Sequence, residues 1–160
     1  MLPFYLLLVA GFCLANGLNS NLPEWKDLEC QRGHKYLFSD VGHNWEDSRG
    51  ECELYGGWLV QINDLAEYTC LLSEGKKLGS GGWYWTDGND MDDLGYWTHA
   101  YDGSAVSFFA HTIGCGCTDR VCRHGGDAFL FNIGGDKHYR GNYCDYDSSS
   151  LRNFICENII

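Results

Sequence analysis

Positive charge and proline are both scarce in this chain of 160 residues. Eleven Lys and Arg stand against 22 Asp and Glu, a formal net charge of −11, and proline occurs twice. So acidic a surface repels a phosphate backbone, which excludes nucleic acid as a partner and suits solubility and hard cations instead. Few prolines beside 21 glycines and 15% aromatic residues suit a loop-rich domain with a large aromatic core. There is no internal repeat and no low-complexity segment, and a chain of this length fills one core, so repeat arrays and multidomain enzymes are excluded. Hydrophobic residues at 44% exclude wholesale disorder.

Long apolar runs are also few. Phe4 to Leu14 is the main one, and it is shorter than the roughly 20 residues that span a bilayer. Small residues follow at Ala15 and Gly17. Position, length and small residues together predict a signal peptide over 1–17, against the alternative of a buried N-terminal strand or helix. No second long run follows, so the mature protein is expected to be secreted, extracellular and without a membrane span. Residues 18–29 read as a loose polar N-terminal arm and 30–158 as the domain. No Asn-x-Ser/Thr sequon occurs.

Catalytic signatures are missing as well. The chain has no Gly-x-Ser-x-Gly, no His-Glu-x-x-His and no phosphate-cradling glycine loop, and nothing singles out a glycosidase pair among its carboxylates. Cys115-Gly116-Cys117 is not the Cys-x-x-Cys of thiol oxidoreductases. A non-enzymatic binding module is the reading that remains.

Cysteine is what the chain has in quantity. Of nine, Cys13 lies in the leader, leaving Cys30, Cys52, Cys70, Cys115, Cys117, Cys122, Cys144 and Cys156. An even set in a secreted chain reads as a disulfide framework whose connectivity counting alone does not give. The cluster His111, Cys115, Cys117, Cys122 and His124 also has zinc-type ligands, but an oxidising compartment favours disulfides over zinc, and the two histidines also suit a solvated loop.

Hydrophobic periodicity predicts two helices early and strands afterwards, an α+β order. Lys35 to Ser39 reads as a strand. Asn44 caps a helix carrying Trp45, Ser48, Cys52 and Tyr55 at helical spacing, and Gly56-Gly57 ends it. Trp58 to Ile62 is a short strand; Asn63 or Asp64 then caps a helix with Leu65, Tyr68, Leu71 and Leu72 on one face. Further strands are expected at 83–85, 96–99, 105–109, 128–133, 142–144 and 154–156. The run Asp87-Gly88-Asn89-Asp90-Met91-Asp92-Asp93 has alternate carboxylates but not the EF-hand order, and is expected to be a solvated turn rather than a calcium loop.

The motifs Trp45-Glu46-Asp47-Ser48-Arg49-Gly50-Glu51-Cys52, then Gly56-Gly57-Trp58-Leu59-Val60-Gln61-Ile62-Asn63, then Glu67, resemble the front half of a C-type lectin-like domain. Gly95-Tyr96-Trp97, Asp102-Gly103-Ser104 and the closing Asn153-Phe154-Ile155-Cys156-Glu157 are similar to its back half. The resemblance covers about 30–157. It implies two helices on short antiparallel sheets with a long loop region, a disulfide from Cys52 to Cys156, and glycan recognition. The family's second bridge falls on Phe129 and Ser148, so both halves are missing together.

In sugar-binding members a calcium ion is held by a Glu-Pro-Asn or Gln-Pro-Asp triplet, a later acid and the Asn-Asp of Trp-Asn-Asp. Calcium takes roughly six to eight oxygen ligands. Here the triplet falls on Cys115-Gly116-Cys117 and the Trp-Asn-Asp on Tyr143-Cys144-Asp145, so Asp145 and, as the later acid, Asp127 are the oxygen donors left for calcium. Thiols suit that ion poorly. Both places carry Cys, which predicts a disulfide from Cys144 to Cys115 or Cys117 in place of the metal clamp. Cys30, Cys70 and Cys122 are left without assigned partners, with Cys30 or Cys70 the expected donor in any disulfide-linked oligomer. Tyr101, His111, Tyr139, Tyr143 and Tyr146 are candidates for stacking on a sugar, and packing is the alternative role for each aromatic. The expected partner is a glycan, or else an extracellular protein or mineral, and a second copy of the chain in a disulfide-linked or non-covalent homo-oligomer is the further alternative.

Overall fold

The computed structural model describes residues 24–79, 81–93, 95–108, 127–133 and 143–159. In chain order the elements are β1 (His34–Phe38), α1 (Trp45–Leu54), β2 (Trp58–Leu59), α2 (Leu65–Lys77), β3 (Gly82–Asn89), β4 (Thr98–His99), β5 (Asp127–Ile133), β6 (Tyr143–Asp147) and β7 (Asn153–Ile159). The fold is α+β with two helices, as the periodicity predicts.

Local signals set the helices. Asn44 Oδ1 accepts from the Asp47 N–H at 2.8 Å, and Asp64 Oδ1 accepts from that of Glu67 at 2.9 Å, each satisfying one orphan donor of a first turn. After α1 the chain turns at Gly56, whose φ of +82° suits glycine. On α2 the buried residues are Glu67, Leu71 and Gly75, one turn apart. Tyr68 and Leu72 pack beside them as expected, whereas Leu65 is 64% exposed, so the expected apolar face is corrected at its first residue.

The strands run in the order β1-β7-β3-β5-β6, with β2 also on β7 and β4 on β3. Most neighbours are antiparallel, as expected, and β3 and β7 pair in parallel. Alternate residues divide between two cores. Tyr36, Val60, Ile62, Tyr84, Phe129, Phe131, Ile133 and Ile155 join Leu71 of α2 on one side. Leu37, Leu59, Trp85, Ala128, Leu130, Phe154 and Cys156 join Trp45 and Cys52 of α1 on the other. Strands covered on both faces read as continuous apolar runs, which explains Ala128 to Phe131.

Several boundaries differ from the sequence reading. The strand expected at 83–85 extends to Asn89, because Gly88 and Asn89 pair with His99 and Thr98 of β4 and Asn89 also with Ala128 of β5. Asp87, Asn89 and Asp90 are therefore buried, and the expected solvated turn shrinks to the exposed 91–93. The strand expected at 105–109 leaves one bridge, Ala105 to Thr98, among the described residues. The arm expected to be loose is attached at its end: Lys26 and Tyr36 exchange both backbone hydrogen bonds, and Trp25 packs on the second core.

Two disulfides staple the frame. Cys52 on α1 bonds Cys156 on β7, the pair the resemblance implies. Cys30 bonds Cys70 on α2. That pairing corrects the expectation that Cys30 or Cys70 would donate a thiol to an oligomer: each already has an intramolecular partner.

Candidate functional site

The positions expected to hold calcium lie on the β5–β6 hairpin. Asp127 pairs with Asp147, Phe129 with Asp145, Leu130 with Cys144 and Phe131 with Tyr143. Paired residues share a sheet face and alternate residues return to it. Positions 127, 145 and 147 thus occupy one face near one end of the hairpin, while 144 and 146 occupy the other. Asn89 pairs with Ala128, so Asp90 lies level with Asp127 and Asp147 across three adjacent strands. Sequence reasoning did not single out Asp147, and weighed Asp90 only within a run expected to be a solvated turn; the signal that finds both is strand register. Asp90 is buried, with Oδ2 accepting from the Gly95 N–H at 2.7 Å. Asp147 is exposed, and bonds from Ser149 hold its carboxyl below the usual range.

Four acids at one end of a sheet are the donor chemistry a hard cation takes. Among the described residues, however, no three His, Cys, Asp or Glu side chains are grouped to hold a metal ion. His111, Cys115, Cys117, Cys122, His124 and Tyr139 lie outside the described residues. Asp127, Tyr143, Cys144, Asp145 and Tyr146 are placed by strand position alone. Phe129, at the family's second-bridge position, stacks on Trp97 with ring centroids 3.7 Å apart.

A second polar centre lies between β3 and the turn after β4. Asp87 is fully buried. Its Oδ2 accepts from Gln61 Nε2 at 3.0 Å and from the Tyr101 N–H at 3.1 Å. Desolvation pushes the Asp87 carboxyl up to about 6, against those two bonds. His99 Nδ1 lies 3.8 Å from the same oxygen, and burial lowers the imidazole pKa, favouring the neutral ring. Tyr101, held by this carboxylate, stacks on Trp58 at 4.2 Å and 15°.

A third centre joins the helices to the sheet. Glu67 accepts from the Tyr36 hydroxyl at 2.8 Å and the Asn63 N–H at 2.9 Å. Glu157 accepts from the Gln61 N–H at 3.0 Å and meets His34 Nδ1. Burial pushes Glu67 up to about 6 and raises Glu157 as well. Glu67, Glu157 and Tyr36 are all buried, so this centre supports the frame.

No family model matches the sequence. The chain is 33% identical over 109 residues to the perlucin-like protein of Mytilus galloprovincialis, covering 66% of this chain and 65% of that protein. The chain therefore spans a little under two thirds of that relative. Among solved structures it is similar to the mouse scavenger receptor C-type lectin carbohydrate-recognition domain, with a TM-score of 0.67 and 25% identity over 86% of this chain and 95% of that one. It is also similar to a calcium-independent type II antifreeze protein, with a TM-score of 0.65 and 16% identity over 84% and 91% of the two chains. Together with the Cys52–Cys156 staple and the topology, these define the class by its fold: the chain has the C-type lectin-like fold. No helix among the described residues is long and apolar enough to cross a membrane.

Proposed function

We propose that the protein is a secreted glycan-binding lectin-like module whose 30–158 domain follows a leader at 1–17 and an arm at 18–29. The observation that carries this reading is the β5–β6 register, which puts Asp127 and Asp145 on one face of a hairpin in a lectin-like fold. Those two acids would ligate calcium. Its role there would be to order the loop and offer open coordination positions to sugar hydroxyls. Cysteines in place of the triplet fit calcium poorly, and a bond from Cys144 to Cys115 or Cys117 would order the loop without metal. Two disulfides in the frame support an oxidising, extracellular setting. His111, Tyr139, Tyr143 and Tyr146 remain the aromatic candidates near that loop.

A protein or mineral ligand is the second reading. It is favoured by the net charge of −11, by the cysteines at the triplet, and by likeness in fold to a calcium-independent antifreeze protein. Glycan-array binding of the oxidised protein, in calcium and again in EDTA, separates the readings. Binding that EDTA abolishes supports a calcium site built on Asp127 and Asp145. Binding that survives EDTA supports a metal-free lectin. Silence in both buffers overturns glycan recognition and moves the weight to protein or mineral.

A further inference from the structure

We propose that the open face of Tyr101, backed by Trp58, is a stacking platform for the apolar face of a sugar ring, on different elements from the β5–β6 positions. The proposal rests on the glycan-binding reading and gives it a second subsite. Trp58 lies on β2 and Tyr101 in the turn after β4. The two rings are nearly parallel, 15° apart at 4.2 Å. Tyr101 nevertheless remains 56% exposed. A ring stacked on one face and this exposed presents its other face to solvent.

The turn holds that ring in place before any ligand arrives. Asp87 Oδ2 takes the Tyr101 N–H at 3.1 Å, and the Asp87 carbonyl takes that of Ala100 at 3.2 Å. Asp102 Oδ1 accepts from the Ser104 N–H at 2.9 Å and the Ser104 hydroxyl at 2.7 Å. Gly103 N–H donates to the His99 carbonyl at 2.8 Å and His99 N–H to that of Ser104 at 2.8 Å. Asp87 Oδ1, by contrast, is buried without a hydrogen-bond partner. A fully buried carboxylate with an unpaired oxygen costs stability. What this one secures is the turn that carries Tyr101. A preorganised ring loses little entropy on binding.

Size and surroundings select the ligand. A stable protein interface buries more than about 1,000 Å² in total, whereas this platform is one ring wide and is flanked by exposed Asp102, Gly103 and Ser104. A pyranose matches both parts. Its C–H face lies on an aromatic ring, and its hydroxyls need acceptors at the edge. Bonds from Ser104 hold the Asp102 carboxyl below its ordinary range, so it is an ionised acceptor at neutral pH.

The test is a glycan array in EDTA with the oxidised wild-type chain, Tyr101→Ala and Tyr101→Phe. Thermal melts of each variant control for folding. The best-bound glycan's terminal monosaccharide is then titrated into the wild type while the Tyr101 ring resonances are followed by NMR. The expected result is a loss of about tenfold in Tyr101→Ala, little change in Tyr101→Phe, and a shift of the Tyr101 resonances in the wild type. Should Tyr101→Ala fail to fold, the resonance shift alone decides. Equal binding by Tyr101→Ala and wild type, static Tyr101 resonances, or wild-type binding that exists in calcium but vanishes in EDTA would each overturn the platform while leaving glycan recognition standing. A wild type silent in both buffers would overturn the glycan reading, and the platform with it.

Discussion

The Tyr36 hydroxyl donates to Glu67 Oε1 at 2.8 Å and joins β1 to α2 inside the first core. The other carboxylate oxygen takes the Asn63 N–H at 2.9 Å, at the entry to the same helix. One side chain thus serves a strand, a helix start and the core between them. Because Glu67 is 2% exposed and Tyr36 fully buried, the Tyr36 hydroxyl has no water as a substitute partner.

Glu67→Ala is therefore expected to destabilise the fold by about 2 kcal/mol, since it strands the buried Tyr36 hydroxyl and removes the acceptor of the Asn63 N–H. Glu67→Gln keeps the shape and one acceptor and should cost less. Urea unfolding of the oxidised protein measures both. Equal stability of Glu67→Ala and wild type would show that the network is dispensable.

Stability should depend on pH with a defined sign. Burial raises Glu67 and Asp87 to about 6, and raises Glu157 in the same direction. The folded state then holds protons that the unfolded chain has released, so the contribution of these groups is fully present below their unfolded pKa values and is lost as pH rises through about 6. Asp102 and Asp147 shift the opposite way, and act below the ordinary Asp range, outside this window; His99, whose pKa burial lowers, opposes the trend within it, one group against three. The melting temperature is expected to fall by a few degrees between about pH 5 and about pH 7. Glu67→Gln and Asp87→Asn should each flatten the slope. A melting temperature that climbs over that interval in the wild type contradicts the assignment.

Cys52 and Cys156 are 104 residues apart and Cys30 and Cys70 are 40 apart. In the chain-entropy account the longer loop contributes about 4.7 kcal/mol and the shorter about 4 kcal/mol. Cys52 and Cys156 are also fully buried within the second core. Replacing both with Ala should cost more than replacing Cys30 and Cys70 with Ala, because packing is lost along with the cross-link. Paired denaturant melts rank the two double variants, and the reverse order would refute the argument.

Gly88→Ala should destabilise the protein by roughly 1–3 kcal/mol through overpacking. A Cβ there would stand 2.4 Å from Phe129 Cδ2. That ring cannot retreat freely, since its stack on Trp97 is 3.7 Å between centroids. Thermal melts together with near-ultraviolet circular dichroism would detect both the lost stability and the disturbed rings. An unchanged aromatic spectrum would show that Phe129 has more room than this geometry allows.

What could be read from the sequence was carried by neighbours along the chain. Asn44 and Asp64 cap helices through N–H groups three residues on, and Gly56 ends α1 through its own φ. The Cys52–Cys156 pair was legible through resemblance to a family. Tertiary structure alone decided the fate of polar groups and the choice of partners. Asp87-Gly88-Asn89 has the composition of a solvated turn, yet it is the buried end of β3, because strands from residues 98 and 128 pair with it. The Cys30–Cys70 bond and the Trp58–Tyr101 stack join segments 40 and 43 positions apart. Caps and turns are decided within a few residues. Burial and contact depend on which distant segments the whole fold brings alongside, and local composition does not record that.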